Sequence, residues 1–267
     1  MGGKVTSMSV VLDKKGKVLA NKRLTERLWL ISIEVDGLGA QLQPGQIVHM
    51  QIPGMEGHVL RRPFSVFYVS EDGGVLTILY QVVGFGSKHL TTVQPGSIVD
   101  LMGPIGHGWH APESAEHILL VAGGVGGAPL FMHAKELVQR GLDVEVVLGA
   151  QNADSLVVEP KYRELLGHEP LIATDDGSRG HAGFCTDLVK ARIAEKEFDY
   201  VACCGPEPMM KIVSGIALDA GIQTYISLEK RMACGIGACL SCIVETKQGR
   251  RRSCVDGPVF DASEVIW

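Results

Sequence analysis

Four cysteines near the end of the chain are spaced to hold iron and sulfide: Cys234-x4-Cys239-x2-Cys242, then Cys254 after eleven further residues. The first three have the C-x4-C-x2-C spacing of 2Fe–2S ligands, although the gap to the fourth is shorter than that pattern usually has. Each iron takes two thiolates beside bridging sulfides, so four sulfurs must converge on one small object. Gly235 and Gly237 would let the loop curl with its amides toward sulfur. The fourth cysteine is expected after a short hairpin through residues 247–250. A structural zinc site is the alternative, and the lack of paired C-x2-C hooks speaks against it. An iron–sulfur cluster moves single electrons and makes or breaks no C–H bond. The chain would then need a donor and an acceptor.

The elements that must position such a cluster fall into two further regions. From Glu116 onward the pattern is strand, glycine turn, helix. Residues 117–122 form a continuous apolar run, as in a parallel strand buried on both faces. Glycines follow at Gly123, Gly124, Gly126 and Gly127, and 130–140 reads as a helix with Gly141 beyond its end. Strands are expected over 144–149, 171–174, 200–204 and 224–227, alternating with helices over 160–166, 187–196 and 208–220. The alternation implies a doubly wound parallel α/β sheet with its ligand beyond the carboxyl ends of the strands. Gly123, Gly124 and Gly126 could admit a pyrophosphate to the start of a helix. They could equally serve close packing, since Pro129 breaks a strict G-x-G-x-x-G. A second loop, Cys204-Gly205-Pro206, ends a strand at the same edge. The segment 149–153 offers no arginine for a 2′-phosphate, which favours NAD over NADP.

The first hundred residues show short strands and turns. Strands are expected over 5–13, 28–35, 47–52, 66–69, 75–83 and 98–101, with turns at Pro44-Gly45 and Pro95-Gly96. Six strands so spaced read as a small antiparallel β barrel. Within it, Arg61-Arg62-Pro63-Phe64-Ser65 combines cations, a rigid turn, an aromatic ring and a hydroxyl. Gly84-Phe85-Gly86-Ser87 opens a short helix over 88–92. Arg62 could neutralise a pyrophosphate, and amides near Gly86 and Ser87 could hydrogen-bond it. Hydride transfer involves an electron pair whereas a cluster carries one electron, so a flavin between them would match the two.

Composition narrows the class. With 46% hydrophobic and 21% charged residues, the 267-residue chain has globular composition and room for two domains and an appendage. A net charge of −5 argues against nucleic acid. The longest apolar run, 118–132, is too short and too glycine-rich to span a bilayer. No leader is evident, and Cys185, Cys203 and Cys204 remain once the four are set aside. An odd remainder suggests reduced thiols in a cytoplasm. The start, Met1 to Thr6, formally fits a myristoylation pattern but reads more simply as a lead into the first strand.

Taken in order, these parts resemble the ferredoxin–NADP reductase superfamily. Its Arg-x-x-Ser flavin motif matches Arg62-Pro63-Phe64-Ser65, and its nucleotide domain matches the glycine loop and Cys204-Gly205-Pro206. The stretches 227–242 and 254–260 are similar, within it, to the electron-transfer subunits of NAD-dependent dihydroorotate dehydrogenases. The resemblance covers nearly the whole chain. It implies an FAD-binding barrel over 1–110, an NAD-binding α/β domain over 111–226 and a 2Fe–2S subdomain over 227–267. It implies FAD contacts at Arg62–Ser65, at Leu79, Tyr80 and Gln81, and at Gly86 and Ser87, with Cys234, Cys239, Cys242 and Cys254 as cluster ligands. Gln81 departs from the family, where a cation often stands. The implied partner is an FMN-containing dihydroorotate dehydrogenase catalytic subunit, assembled as a dimer of heterodimers. No acid–base set for oxidising dihydroorotate is evident in this chain, so that base is expected in the partner. Small flavin/iron–sulfur subunits of NADH-dependent ferredoxin:NADP oxidoreductases or sulfide dehydrogenases are rivals, but these can replace one cluster cysteine by aspartate. A redox-sensing or zinc-stabilised module without catalysis is the rival from another class. Lys247 and Arg250–Arg252 would either offset the cluster's charge, dock an acidic partner surface, or form a solvated hairpin.

Overall fold

Alternation of buried and exposed residues builds an antiparallel sheet from the first hundred positions. The computed structural model describes residues 10–55 and 57–267. Its first sheet comprises β1 (Leu12–Arg23), β2 (Leu28–Glu34), β3 (Ile47–Gln51), β4 (Arg62–Ser65), β5 (Tyr68–Val69), β6 (Val75–Gln81) and β7 (Ile98–Ile105), in the order β4-β3-β7-β1-β2-β6-β5. Val18, Ile31, Ile33, Val48, Met50, Ile78 and Leu101 meet inside it. Each such side chain contributes about 1.5–3 kcal/mol by leaving water. Phe64 of β4 meets Tyr80 of β6 edge-on, ring centroids 6.1 Å apart, which curls the sheet back toward itself.

Several sequence expectations shift here. The strand expected over 5–13 starts at Leu12, and residues 1–9, with the Met1–Thr6 pattern, lie outside the described ones. The polar run that follows is strand because β2 and β7 pair with it on either side, and only Gly16 and Val18 need burial. Arg62–Ser65 is not a turn but strand β4 at the sheet edge, where the missing N–H of Pro63 breaks no ladder. The expected strand 66–69 shortens to β5 at Tyr68–Val69, and the added β4 gives seven strands rather than six. The short helix α1 (Phe85–Leu90) starts three residues earlier than expected.

The second sheet carries β8 (His117–Gly123), β9 (Asp143–Ala150), β10 (Leu171–Thr174), β11 (His181–Ala182), β12 (Tyr200–Cys204) and β13 (Gln223–Ser227), all parallel. Between them run α2 (Gly127–Gln139), α3 (Glu159–Leu166), α4 (Cys185–Glu195) and α5 (Glu207–Asp219). One face packs Leu120, Leu130 and Tyr162, the other Leu119, Val189 and Val213, as a doubly wound sheet requires. Cys185, Cys203 and Cys204 are buried, free thiols in these cores. The chain then makes the hairpin β14 (Ile243–Thr246) and β15 (Gly249–Arg252). It returns as β16 (Val259–Asp261), antiparallel to β13. Two-residue β11 and edge strand β16 carry too little pattern to be read from sequence.

Trp109 joins the two sheets. Its backbone N–H donates to Pro44 O at 2.8 Å, and its indole N–H donates to Pro129 O at 3.0 Å. A side chain at Gly45 would strike the indole at 2.7 Å, so glycine is required in that turn. The barrel turn and the first turn of α2 are thus held at fixed separation. The third region is strapped on likewise, with His107 N–H donating to Gly257 O.

Candidate functional site

A cavity of about 750 Å³ opens where the three regions meet. The barrel contributes Arg62 to Ser65 from β4, Leu79, Tyr80 and Gln81 from β6, and Gly86 and Ser87 from α1. The nucleotide domain contributes Val125, Ala128 and Pro129. The segment that leaves β13 for the cysteine loop contributes Ser227 to Met232, with Pro258 beside it. Arg62 and Pro258, 196 positions apart in sequence, therefore share one cavity. The sequence pointed to the barrel side and to the glycines around Val125, but not to Val125, Glu229 or Met232 as residues of this cavity.

The barrel wall is cationic and partly unpaired. Arg62 forms no ion pair among the described residues and donates to the backbone carbonyls of Leu60 and Arg61. Arg61 pairs with Asp13 at 3.1 Å, but its other terminal nitrogen is buried without a partner. A Cβ on Gly86 would lie 2.7 Å from Arg62 Nε, so glycine lets the guanidinium reach the start of α1. The Ser87 hydroxyl accepts from the N–H groups of Val83 and Gly84, at 2.9 and 3.1 Å. The hydroxyl caps its own helix, leaving the backbone amides there for a ligand. Tyr80 lines the cavity, yet its hydroxyl donates to Asn21 at 3.0 Å, and burial raises its pKa well above the usual phenol value. These features suit an anionic diphosphate with a flat apolar body, as FAD has.

At the nucleotide edge the glycines are crowded. A Cβ on Gly126 would meet Cys204 O at 2.3 Å, and one on Gly123 would meet Met209 and Pro206 at 2.6 and 2.7 Å. Gly205 lies against Gly123, its Cβ position 2.9 Å from the Gly123 backbone. Packing thus demands three of these glycines. Gly124 alone is open, at φ +55 with nothing within 4 Å, and it leads directly into the start of α2. Arg179, on the neighbouring loop, donates to both carboxylate oxygens of Glu159 and lies 3.4 Å from Glu169. Its charge is compensated rather than offered to a 2′-phosphate.

The cysteine loop is held by unusual backbone. Gly235 and Gly237 have φ of +71 and +82, and Leu240 has +58, a left-handed value uncommon outside glycine. This curling turns amides toward sulfur. Ile236 and Cys239 donate to Cys234 Sγ at 3.5 and 3.4 Å, and Cys254 donates to Cys242 Sγ at 3.5 Å. Cys242 and Cys254 are buried with their sulfurs 3.3 Å apart, whereas Cys239 is exposed. Burial, then the Cys242 sulfur, pushes the metal-free Cys254 thiol up to about 12. Hydrogen bonds from Ser241 and the backbone pull Cys239 down to about 6. No three His, Cys, Asp or Glu side chains among the described residues are gathered tightly enough for a single ion. Amides aimed at thiolates fit an anionic iron–sulfur centre, whose sulfurs they stabilise.

The hairpin arginines are largely paired within the loop. Arg250 bonds Glu245 at 2.9 Å, Arg252 bonds Asp256 at 3.2 Å, and Arg251 lies 3.9 Å from Asp256.

An antiparallel flavin-type sheet, a nucleotide-binding α/β domain and a cysteine loop around one cavity define a flavin- and NAD-dependent oxidoreductase subunit of the ferredoxin–NADP reductase type. Three family models match in that order. They are an oxidoreductase FAD-binding domain over residues 15–109, an oxidoreductase NAD-binding domain over 120–215, and the iron–sulfur cluster binding domain of dihydroorotate dehydrogenase B over 229–266. The cofactor of the cysteine region is therefore iron–sulfur rather than zinc. The chain is 36% identical to the dihydroorotate dehydrogenase B (NAD(+)) electron transfer subunit of Desulforamulus reducens, over 97% of this chain and 100% of that one. It is equally similar, at 36%, to the same subunit of Bacillus caldolyticus, over 96% and 100%. A solved NADH-dependent reduced ferredoxin-NADP oxidoreductase, studied for flavin-based electron bifurcation, superposes with a TM-score of 0.85 at 29% identity, covering 94% of this chain and 90% of that one. The chain belongs to the family of dihydroorotate dehydrogenase B electron transfer subunits.

Proposed function

We propose that this chain carries electrons from the FMN of a dihydroorotate-oxidising catalytic partner, by way of a 2Fe–2S cluster and FAD, to NAD+. The observation that carries the reading is the shared cavity, because barrel, nucleotide domain and the segment entering the cysteine loop each supply part of its wall. When bound, the cluster supplies one-electron transfer and the flavin exchanges single electrons for the pair that nicotinamide takes. The chain's own task is placement. Arg62 and the first amides of α1 would hold the diphosphate of FAD, with Pro63 to Ser65 and Leu79 to Gln81 along its body. Gly123, Gly124 and Gly126, with Gly205 and Pro206, would shape the edge that admits NAD. Cys234, Cys239, Cys242 and Cys254 would ligate iron.

We further propose that the exposed Cys239 marks the face toward the catalytic partner. Ile236 and Leu240 flank it, 58% and 61% exposed, an apolar rim beside the outermost ligand. An FMN-containing partner, a dimer of heterodimers and domain divisions near residues 110 and 226 complete the reading. No helix among the described residues is long and apolar enough to cross a membrane, and the free thiols of Cys185, Cys203 and Cys204 fit a cytoplasmic setting. The test is a visible spectrum of the purified chain before and after NADH, followed by copurification with a dihydroorotate-oxidising subunit. Bleaching of flavin and cluster bands together with recovery of that subunit is expected. Recovery of a ferredoxin-linked partner instead would favour the bifurcating oxidoreductase to which the fold is also close.

A further inference from the structure

His49 stands in β3 fully enclosed, and neither of its ring nitrogens has a hydrogen-bond partner. A neutral imidazole carries one donor and one acceptor, and leaving such a group unmet in the interior is costly. Buried polar atoms without partners are rare and call for a missing group. The surroundings indicate which. The ring lies against the cysteine loop, where a Cβ on Gly235 would sit 2.7 Å from His49 Nδ1 and 2.8 Å from the Met102 methyl. Met102 packs in turn with Ile47, Ile105, Cys242 and Cys254. Gly235 directly follows Cys234, and its left-handed backbone bends the loop around the imidazole. On the other side, the cross-strand partner of His49 is Pro63, in the cavity wall. His49 is thus wedged between the flavin wall and the cysteine loop. Burial, with Arg61 and Arg62 nearby, lowers its pKa to about 4, so the ring is neutral at physiological pH.

We propose that His49 donates its ring N–H to a sulfur of the iron–sulfur centre and thereby raises the reduction potential of that centre. The inference rests on the iron–sulfur reading of the four cysteines. Its physical basis is charge: reduction adds one electron to the centre and makes its sulfurs better acceptors. A fixed N–H donor therefore stabilises the reduced form more than the oxidised form. The same contact ties the barrel to the cysteine loop, making His49 a positioning and tuning residue.

The experiment is an anaerobic redox titration of the holoprotein, with the cluster followed by EPR and the flavin by absorbance. In His49→Leu the ratio of reduced to oxidised cluster at fixed potential should fall about tenfold, a shift of about 59 mV to more negative values. His49→Gln keeps an amide donor and should shift less, and the flavin couple should stay in place in both. An unmoved cluster potential in His49→Leu, or a shift confined to the flavin, overturns the proposal. If His49→Leu loses its cluster, the wild-type protein with 15N-labelled histidine decides. Pulsed EPR should show nitrogen coupling to the reduced cluster that His49→Gln removes, and its absence overturns the proposal. Wild-type protein without iron would instead bring down the iron–sulfur assignment itself.

Discussion

The glycine loop after β8 and the cysteine loop after β13 look alike in sequence, yet their glycines exist for different reasons. At the first, Gly123, Gly126 and Gly205 let two strand ends and a helix approach backbone to backbone, with 2.3 Å from a Gly126 Cβ to Cys204 O. At the second, Gly235 and Gly237 take left-handed conformations so that amides face sulfur. The nucleotide edge is closed and satisfied by its own packing. The cysteine side holds a buried imidazole, His49, with neither ring nitrogen partnered. Gly123, Gly126 and Gly205 serve close packing, whereas Gly235 and Gly237 serve the turning of amides toward sulfur.

Substitutions should therefore separate stability from electron transfer. The largest expected effect is at Cys239. Its serine variant should lose coupling between dihydroorotate oxidation and NAD+ reduction while NADH diaphorase activity survives, with thermal stability of the cofactor-free chain near wild type. Full coupled turnover in that variant would break the contrast. Gly126→Ala should do the reverse, destabilising the fold by about 3 kcal/mol through overpacking against Cys204, seen as a lower urea midpoint. Gly124→Ala, with open space and only its positive φ to oppose it, should cost about 1–2 kcal/mol. Equal midpoints for the two variants would refute the packing argument.

Arg62→Gln should weaken FAD by about 1.5–3 kcal/mol, the usual worth of a hydrogen bond to a charged group, without lowering stability of the flavin-free chain. Flavin fluorescence titration measures the first, and thermal unfolding the second. Acid should act on both sides at once, through two buried histidines. Burial lowers His133 to about 3 and His49 to about 4. The unfolded chain takes up these protons below about pH 6.5 while the folded chain does not. Stability is therefore whole above that pH and declines as pH falls toward those values, by a few kcal/mol at most for each group. His133→Phe should flatten part of the decline between pH 7 and pH 5 in urea titrations, and an unchanged slope would exclude His133. The smallest effect is expected at the hairpin: Arg250→Ala, an exposed pair with Glu245, should change stability by less than about 1 kcal/mol. Charge reversal across Arg250–Arg252 should weaken association with the partner in a salt-dependent way only if these arginines exchange their internal carboxylates for the partner's. Unchanged association at low ionic strength would exclude docking.

Local chemistry was readable wherever one short segment carries it. The parallel strands β8, β10 and β12 are apolar runs bounded by turns, and β10 and β12 match their expected bounds. The cysteine spacing and Arg62–Ser65 likewise sit in single stretches. What was misread depended on neighbours. The lysine-rich β1 is strand because two partners pair with it, and Arg62–Ser65 is strand because β3 runs alongside.

The order of residues alone determined which cofactors this protein can take, since thiolate spacing, a cation before a serine, and glycines after a buried strand are local and short-range. Only the tertiary structure decided that their sites share one cavity, and that a histidine from β3 lies beneath the residue after the first cysteine. Those facts come from contacts between distant positions (His49 and Gly235 are 186 apart), and the pairing of distant surfaces leaves no period or spacing along the chain.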